Sequence, residues 1–129
     1  MQLIRKTLLL ISLIFSFNVL MAQNETESLV QNIQTANFSN LLSFWNEHVE
    51  VNILDVSFPK PLTPQEANQQ LQLFFSKKNI IGFEKNAERK LGNTIYVTGK
   101  LLSDQNKYNL TMLLQDSKKG VLIVSARIS

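Results

Sequence analysis

The sequence predicts an α+β fold, a curved antiparallel sheet with helices packed on one of its faces. Three observations lead to that class. Apolar residues recur at helical spacing in two separate stretches, 29–45 and 64–77; beyond residue 80 the apolar spacing falls to two; and short polar turns divide that later part into four runs about a dozen residues apart. The resulting order is helix, short helix, strand, loop, helix and a four-strand meander, which lets helices cover one side of a single sheet.

The first 22 residues stand apart from this fold. Arg5 and Lys6 give a positive start, the 14 residues from Leu8 to Met21 give an apolar run, and Ala22 gives a small residue at the expected cleavage point, although Leu20 departs from the small-residue preference two positions earlier. A membrane-spanning helix takes about 20 apolar residues. The run therefore predicts a cleaved secretory signal over 1–22, no stable membrane anchor after cleavage, and a single domain over 23–129. A secreted chain that folds with no cysteine fits the periplasm of a Gram-negative bacterium, so a periplasmic or secreted location is expected. Loss of Arg5 and Lys6 with the signal takes the net charge from +3 to +1, which makes nucleic acid an unsuitable partner. The absence of cysteine also removes disulfides, thiolate catalysis and Cys-type zinc sites. The lone histidine, His48, removes any site that needs two imidazoles.

Each element has its own warrant. Thr26 and Ser28 are placed to cap a first helix bearing Leu29, Val30, Ile33 and Ala36. Asn37 interrupts it, and Ser39 opens a short second helix presenting Leu41, Leu42, Phe44 and Trp45. From Glu47 to Leu54, Val49, Val51 and Ile53 alternate with His48, Glu50 and Asn52, the pattern of a half-buried strand. Pro59 and Pro61 make Asp55 to Leu62 a loop. Thr63, Pro64 and Glu66 form a capping box with proline at the first helical position, opening a helix to about Lys77. Its apolar stripe is Ala67, Leu71, Phe74 and Phe75, and Lys77-Lys78 suit the negative end of its dipole. The meander strands are Ile80–Glu88, Thr94–Ser103, Lys107–Gln115 and Val121–Ile128. Ile95, Val97, Gly99 and Leu101 share one face of the second; Tyr108, Leu110, Met112 and Leu114 share one face of the third; Leu122, Val124, Ala126 and Ile128 share one face of the fourth.

Several of these segments, from Ala36-Asn37 to Trp45, Val49-Glu50-Val51-Asn52-Ile53, Thr63-Pro64-Gln65-Glu66 leading into Leu71-Gln72-Leu73-Phe74-Phe75, Tyr108-Asn109-Leu110 and Ile123 to Ile128, carry a family likeness. In them the chain resembles the nuclear transport factor 2-like (cystatin-like) cone and, within it, a family of uncharacterised secreted bacterial domains. The shared features are packing motifs. The resemblance implies a curved sheet and helices that enclose a cavity, which some members of the wider superfamily use as an active site and many use only to bind or assemble. It implies no reaction.

Such a cavity directs attention to Trp45, Asp55 and Tyr108 as candidate ligand-binding residues. Trp45 or Tyr108 would stand at the mouth of an apolar pocket suited to a small apolar ligand. Asp55 shares strand parity with Ile53, and Tyr108 with Met112, so both face inward if the strands extend to them. An isomerase- or dehydratase-type site would need a buried carboxylate base and an oxyanion donor converging there. A turn-capping Asp55 and a strand-end Tyr108 are the plain alternatives, and no catalytic residue is assigned.

No cofactor and no metal are expected. His48 and Glu50 lie two apart on one strand face but offer only two of the three or four ligands a stable site takes. The scattered glycines build no phosphate loop, and Lys77-Lys78, Arg89-Lys90 and Lys118-Lys119 read as solvated turns. Val121 to Val124 is apolar on both strand faces, as are Leu113 and Leu114, so the outer sheet face is expected to pack against a second copy, as a homodimer, or against a partner. Two readings result: an exported, non-catalytic binding or assembly module, and a small cavity enzyme.

Overall fold

Helix α1 occupies residues 24–34, where the computed structural model, which describes residues 24–129, begins. The signal-sequence reading of residues 1–22 lies outside the described residues. Leu29, Val30 and Ile33 are the buried stripe of α1, as expected, but the helix already runs upstream of Thr26. Thr26 is therefore a buried residue inside the helix, with 1% exposure, and not its cap. The helix closes on Ala36 at φ 53°, with Asn37 N–H donating to Asn32 O at 2.8 Å and Ala36 N–H to Ile33 O at 3.1 Å. Asn37 then starts the next helix: its side-chain oxygen accepts from Asn40 N–H at 3.3 Å and caps α2 (Phe38–Leu41). A 3₁₀ turn at Leu42–Phe44 delivers the chain to β1 (Trp45–Ile53), so Trp45 is a strand residue, where the sequence suggested a helical one.

Beyond β1 the chain departs from the expected loop. Ile53 pairs with Val56 and Asn52 with Ser57, making a hairpin with β2 (Val56–Ser57) around Leu54 at φ 55°. Leu62 then pairs back to Val49 through Val49 N–H to Leu62 O at 3.0 Å and Leu62 N–H to Val49 O at 2.8 Å. Helix α3 (Pro64–Lys77) follows with the predicted capping box: Glu66 N–H donates to the Thr63 hydroxyl at 3.2 Å, and Thr63 N–H to the Glu66 carboxylate at 3.3 Å. It ends on Asn79 at φ 52°, where Ile80 N–H reaches Phe75 O at 2.9 Å. Ala67, Leu71, Phe74 and Phe75 are its buried stripe, as the spacing indicates.

The meander consists of β3 (Gly82–Leu91), β4 (Thr94–Leu102), β5 (Lys107–Ser117) and β6 (Gly120–Ile128), each antiparallel to the next. The six strands lie in the order β2-β1-β6-β5-β4-β3. One pairing departs from the antiparallel expectation, because β1 runs parallel to β6. The long connection through α3 allows it, since parallel neighbours need a crossover rather than a turn.

Ile95, Val97 and Leu101 of β4 and Leu110, Met112 and Leu114 of β5 point into the core. In β6 the buried residues are Val121, Ile123, Ala126 and Ile128, where strict alternation selected Leu122 and Val124 in the first half. The cause is a bulge. Leu113 pairs with Ser125 and Leu114 with Ile123, so Val124 has no opposite residue and the parity reverses across it. A second bulge between Lys85 and Ala87 bends β3. Facing it, Gly99 has no room for a side chain: an added Cβ would lie 2.5 Å from the Glu84 carbonyl oxygen and 2.5 Å from the Phe83 ring. At the opposite edge of the core, Val121 N–H donates to the Glu25 carboxylate at 2.9 Å and ties α1 to the start of β6.

Candidate functional site

Trp45 is fixed by packing and by a polar relay. Its ring is 4% exposed, and its Nε1–H donates to Asn68 Oδ1 at 3.0 Å. Asn68 Nδ2 in turn donates to Phe38 O at 3.0 Å, so one amide of α3 joins β1 to α2. Next to this relay Phe38 meets Phe75 edge-on, with ring centroids 5.1 Å apart.

Tyr108 lies at the other end of the cone. Half-buried, it meets Phe74 edge-on with centroids 5.2 Å apart and ring planes at 82°, closing the gap between β5 and α3. Behind that contact the interior is filled by Leu29, Ile33, Leu41, Val49, Leu101, Leu110, Met112, Leu114, Ile123 and Ile128, each at most 1% exposed. Asp55 is an exposed turn residue of the β1–β2 hairpin, so the inward orientation that parity suggested does not occur. The chain reverses at Leu54 before the alternation can carry Asp55 into the core.

These three candidates do not converge. Trp45 is the first residue of the nine-residue β1 and Asp55 lies two residues past its last, more than about 20 Å apart at the usual rise. Among the described residues the one polar side chain in the buried class is Thr26, and every Asp and Glu is at least partly exposed. His48 and Glu50 are exposed on β1, and among the described residues no three His, Asp or Glu side chains gather as a metal site would require. All three basic pairs are at the surface: Lys77-Lys78 at the end of α3, Lys118-Lys119 in the β5–β6 turn, and Arg89-Lys90 within β3 rather than in a turn, where Lys90 meets Asp116 at 3.3 Å.

A concave feature lies elsewhere. A groove of about 400 Å³ runs between the β1–β2 hairpin and α3, lined by Ile53, Leu54, Val56 and Phe58 on one side and by Leu73 and Phe74 on the other. Gln70, Lys77 and Lys78 complete its rim. Sequence reasoning missed it because one wall is the hairpin that the prolines disguised as a loop. The available signal was the alternation resuming at Val56 and Phe58 after two turn residues.

A bent sheet wrapped around helices in this order defines the nuclear transport factor 2-like, cystatin-like class of α+β domains. The chain belongs to the DUF4783 family, a domain of unknown function, which it matches over residues 26–129. Its fold is similar to that of a DUF4783 family protein from Bacteroides uniformis, at 18% identity and a TM-score of 0.71 over 80% of this chain and 94% of that one. A DUF4783 family protein from Bacteroides fragilis gives 24% identity and a TM-score of 0.68 over 77% and 91%. An NTF2-like protein with a cystatin-like fold from Novosphingobium aromaticivorans gives 10% and 0.60 over 90% and 86%. No protein of curated function matches the chain.

Proposed function

We propose that this protein is an exported, non-catalytic module that assembles with a second copy through the outer face of its sheet. The observation that carries this reading is an apolar group on that face, turned away from the helices. Tyr96 and Leu113 are direct partners across β4 and β5, and the row Leu91–Thr94–Gln115–Leu122 puts Leu91 of β3 and Leu122 of β6 on the same face. Leu91 is 51% and Tyr96 37% exposed, an arrangement typical of a surface that is covered in the working assembly. The interior supports the same reading, because a cavity enzyme of isomerase type needs an interior carboxylate and no Asp or Glu among the described residues is fully buried.

Light scattering coupled to gel filtration tests the assembly. The expected result is a dimer at tens of micromolar, converted to a monomer by Leu113→Glu with an unchanged far-ultraviolet spectrum. A wild-type chain that stays monomeric at millimolar concentration refutes it. Export rests on Arg5, Lys6, the apolar run and Ala22. Intact-mass measurement after expression in a Gram-negative host should find a chain starting at Gln23, and a product retaining Met1 to Ala22 would count against export.

A further inference from the structure

We propose that the groove between the β1–β2 hairpin and α3 binds a single-chain anionic amphiphile, a fatty-acid-like carboxylate. The apolar chain lies between the two walls and the head group meets Lys77 and Lys78. This site is on the helix side of the sheet and is independent of the outer-face assembly.

Size, exposure, charge and strain agree on it. Its volume of about 400 Å³ falls in the range of small-molecule pockets, roughly 300–1,000 Å³. Leu54, Val56 and Leu73 are 44%, 57% and 54% exposed, and all three converge on this one concavity from two different elements. The charged side chains on the rim are Lys77 and Lys78, both positive, so an apolar occupant with one negative end complements it. Leu54 forms part of the wall in the left-handed region at φ 55°, held there by its N–H donating to Ile128 O at 2.8 Å. A branched residue kept in that region marks backbone strain of the kind that collects at binding sites. Two lysines beside a concave wall also suit a single head group better than an anionic bilayer, which draws clusters of several basic residues.

The test is a titration of the purified chain, followed by amide chemical shifts, with decanoate below its micelle concentration, with decanol, and with phosphatidylglycerol vesicles. The expected result is saturable one-to-one binding of decanoate, with shifts at Leu54, Val56 and Leu73 and weaker binding of decanol. Lys77→Gln combined with Lys78→Gln should weaken decanoate about fivefold and leave decanol unchanged. Leu73→Asn should weaken both about tenfold. Leu73 is already more than half exposed, so this variant keeps the fold, as its circular dichroism should verify. The proposal is overturned by any of four results: no saturable shifts at the groove up to millimolar decanoate; equal binding of decanol with the lysine variant silent; vesicle binding without decanoate binding; or a dimer that Leu73→Asn splits, which would assign the groove to a second copy.

Discussion

Gly99→Ala probes how the sheet achieves its curvature. The alanine Cβ would stand 2.5 Å from the Glu84 carbonyl oxygen, where ordinary contact starts near 3.4 Å, so the two strands must separate locally by about 0.9 Å. The Phe83 ring, at 2.5–2.6 Å, could turn aside only by leaving a position where it is 5% exposed. The carbonyl belongs to the backbone of β3, next to Lys85, the residue paired with Gly99, and it cannot move without stretching that ladder. Overpacking of this kind costs about 1–3 kcal/mol, against about 0.4–1 kcal/mol gained by restricting the unfolded chain. The expected net loss is about 1.3 kcal/mol, a fall in Tm of about 6 °C for a domain of this size. Thermal and urea unfolding followed by circular dichroism measure it directly. Because the main obstacle is backbone, the loss should persist when Phe83 is also replaced by leucine. A Gly99→Ala protein with equal or higher Tm would refute the reasoning.

Other contacts have definite costs. Asn68→Ala leaves the Trp45 indole N–H without its acceptor and takes one of two donors from the Phe38 carbonyl, which keeps the Leu42 N–H, and should destabilise by about 1–2 kcal/mol in urea. Glu25→Ala removes the acceptor of Val121 N–H, with an expected cost of about 1–2 kcal/mol, whereas Glu25→Gln keeps an acceptor and should cost clearly less in the same assay. Thr63→Ala opens the capping box and should lower stability by about 1 kcal/mol, read as a shift in the urea midpoint at constant slope.

What could be read directly was chemistry confined to a few neighbouring residues. The Thr63-Pro64-Glu66 start of α3 and the alternation from Ile95 to Leu101 appear in the structure as the residue types dictate. The misreadings share a different origin. Val124 looks like any strand residue, and only its lack of an opposite in β5 makes it a bulge. Leu54 carries no local signal for a left-handed turn, and its hydrogen bond to Ile128, far along the chain, helps hold that conformation. Thr26 has the composition of a cap, but the helix begins upstream of it. Asp55 followed Ile53 in parity only while the strand was assumed to continue. The parallel match of β1 to β6 leaves no trace in either strand alone, because the choice of partner is decided by the whole assembly.

That match determines the order in which the molecule can be put together. β3 to β6 can zip up hairpin by hairpin as each emerges, every strand meeting one made moments earlier. β1 cannot do so: Trp45 waits for Ile123 and Ile53 for Ile128, so its seam closes only once the chain has been made as far as residue 128. Folding of this domain is therefore not vectorial from its amino end, and the Trp45 segment meets its β6 partner only after the other three strands of the meander have been made.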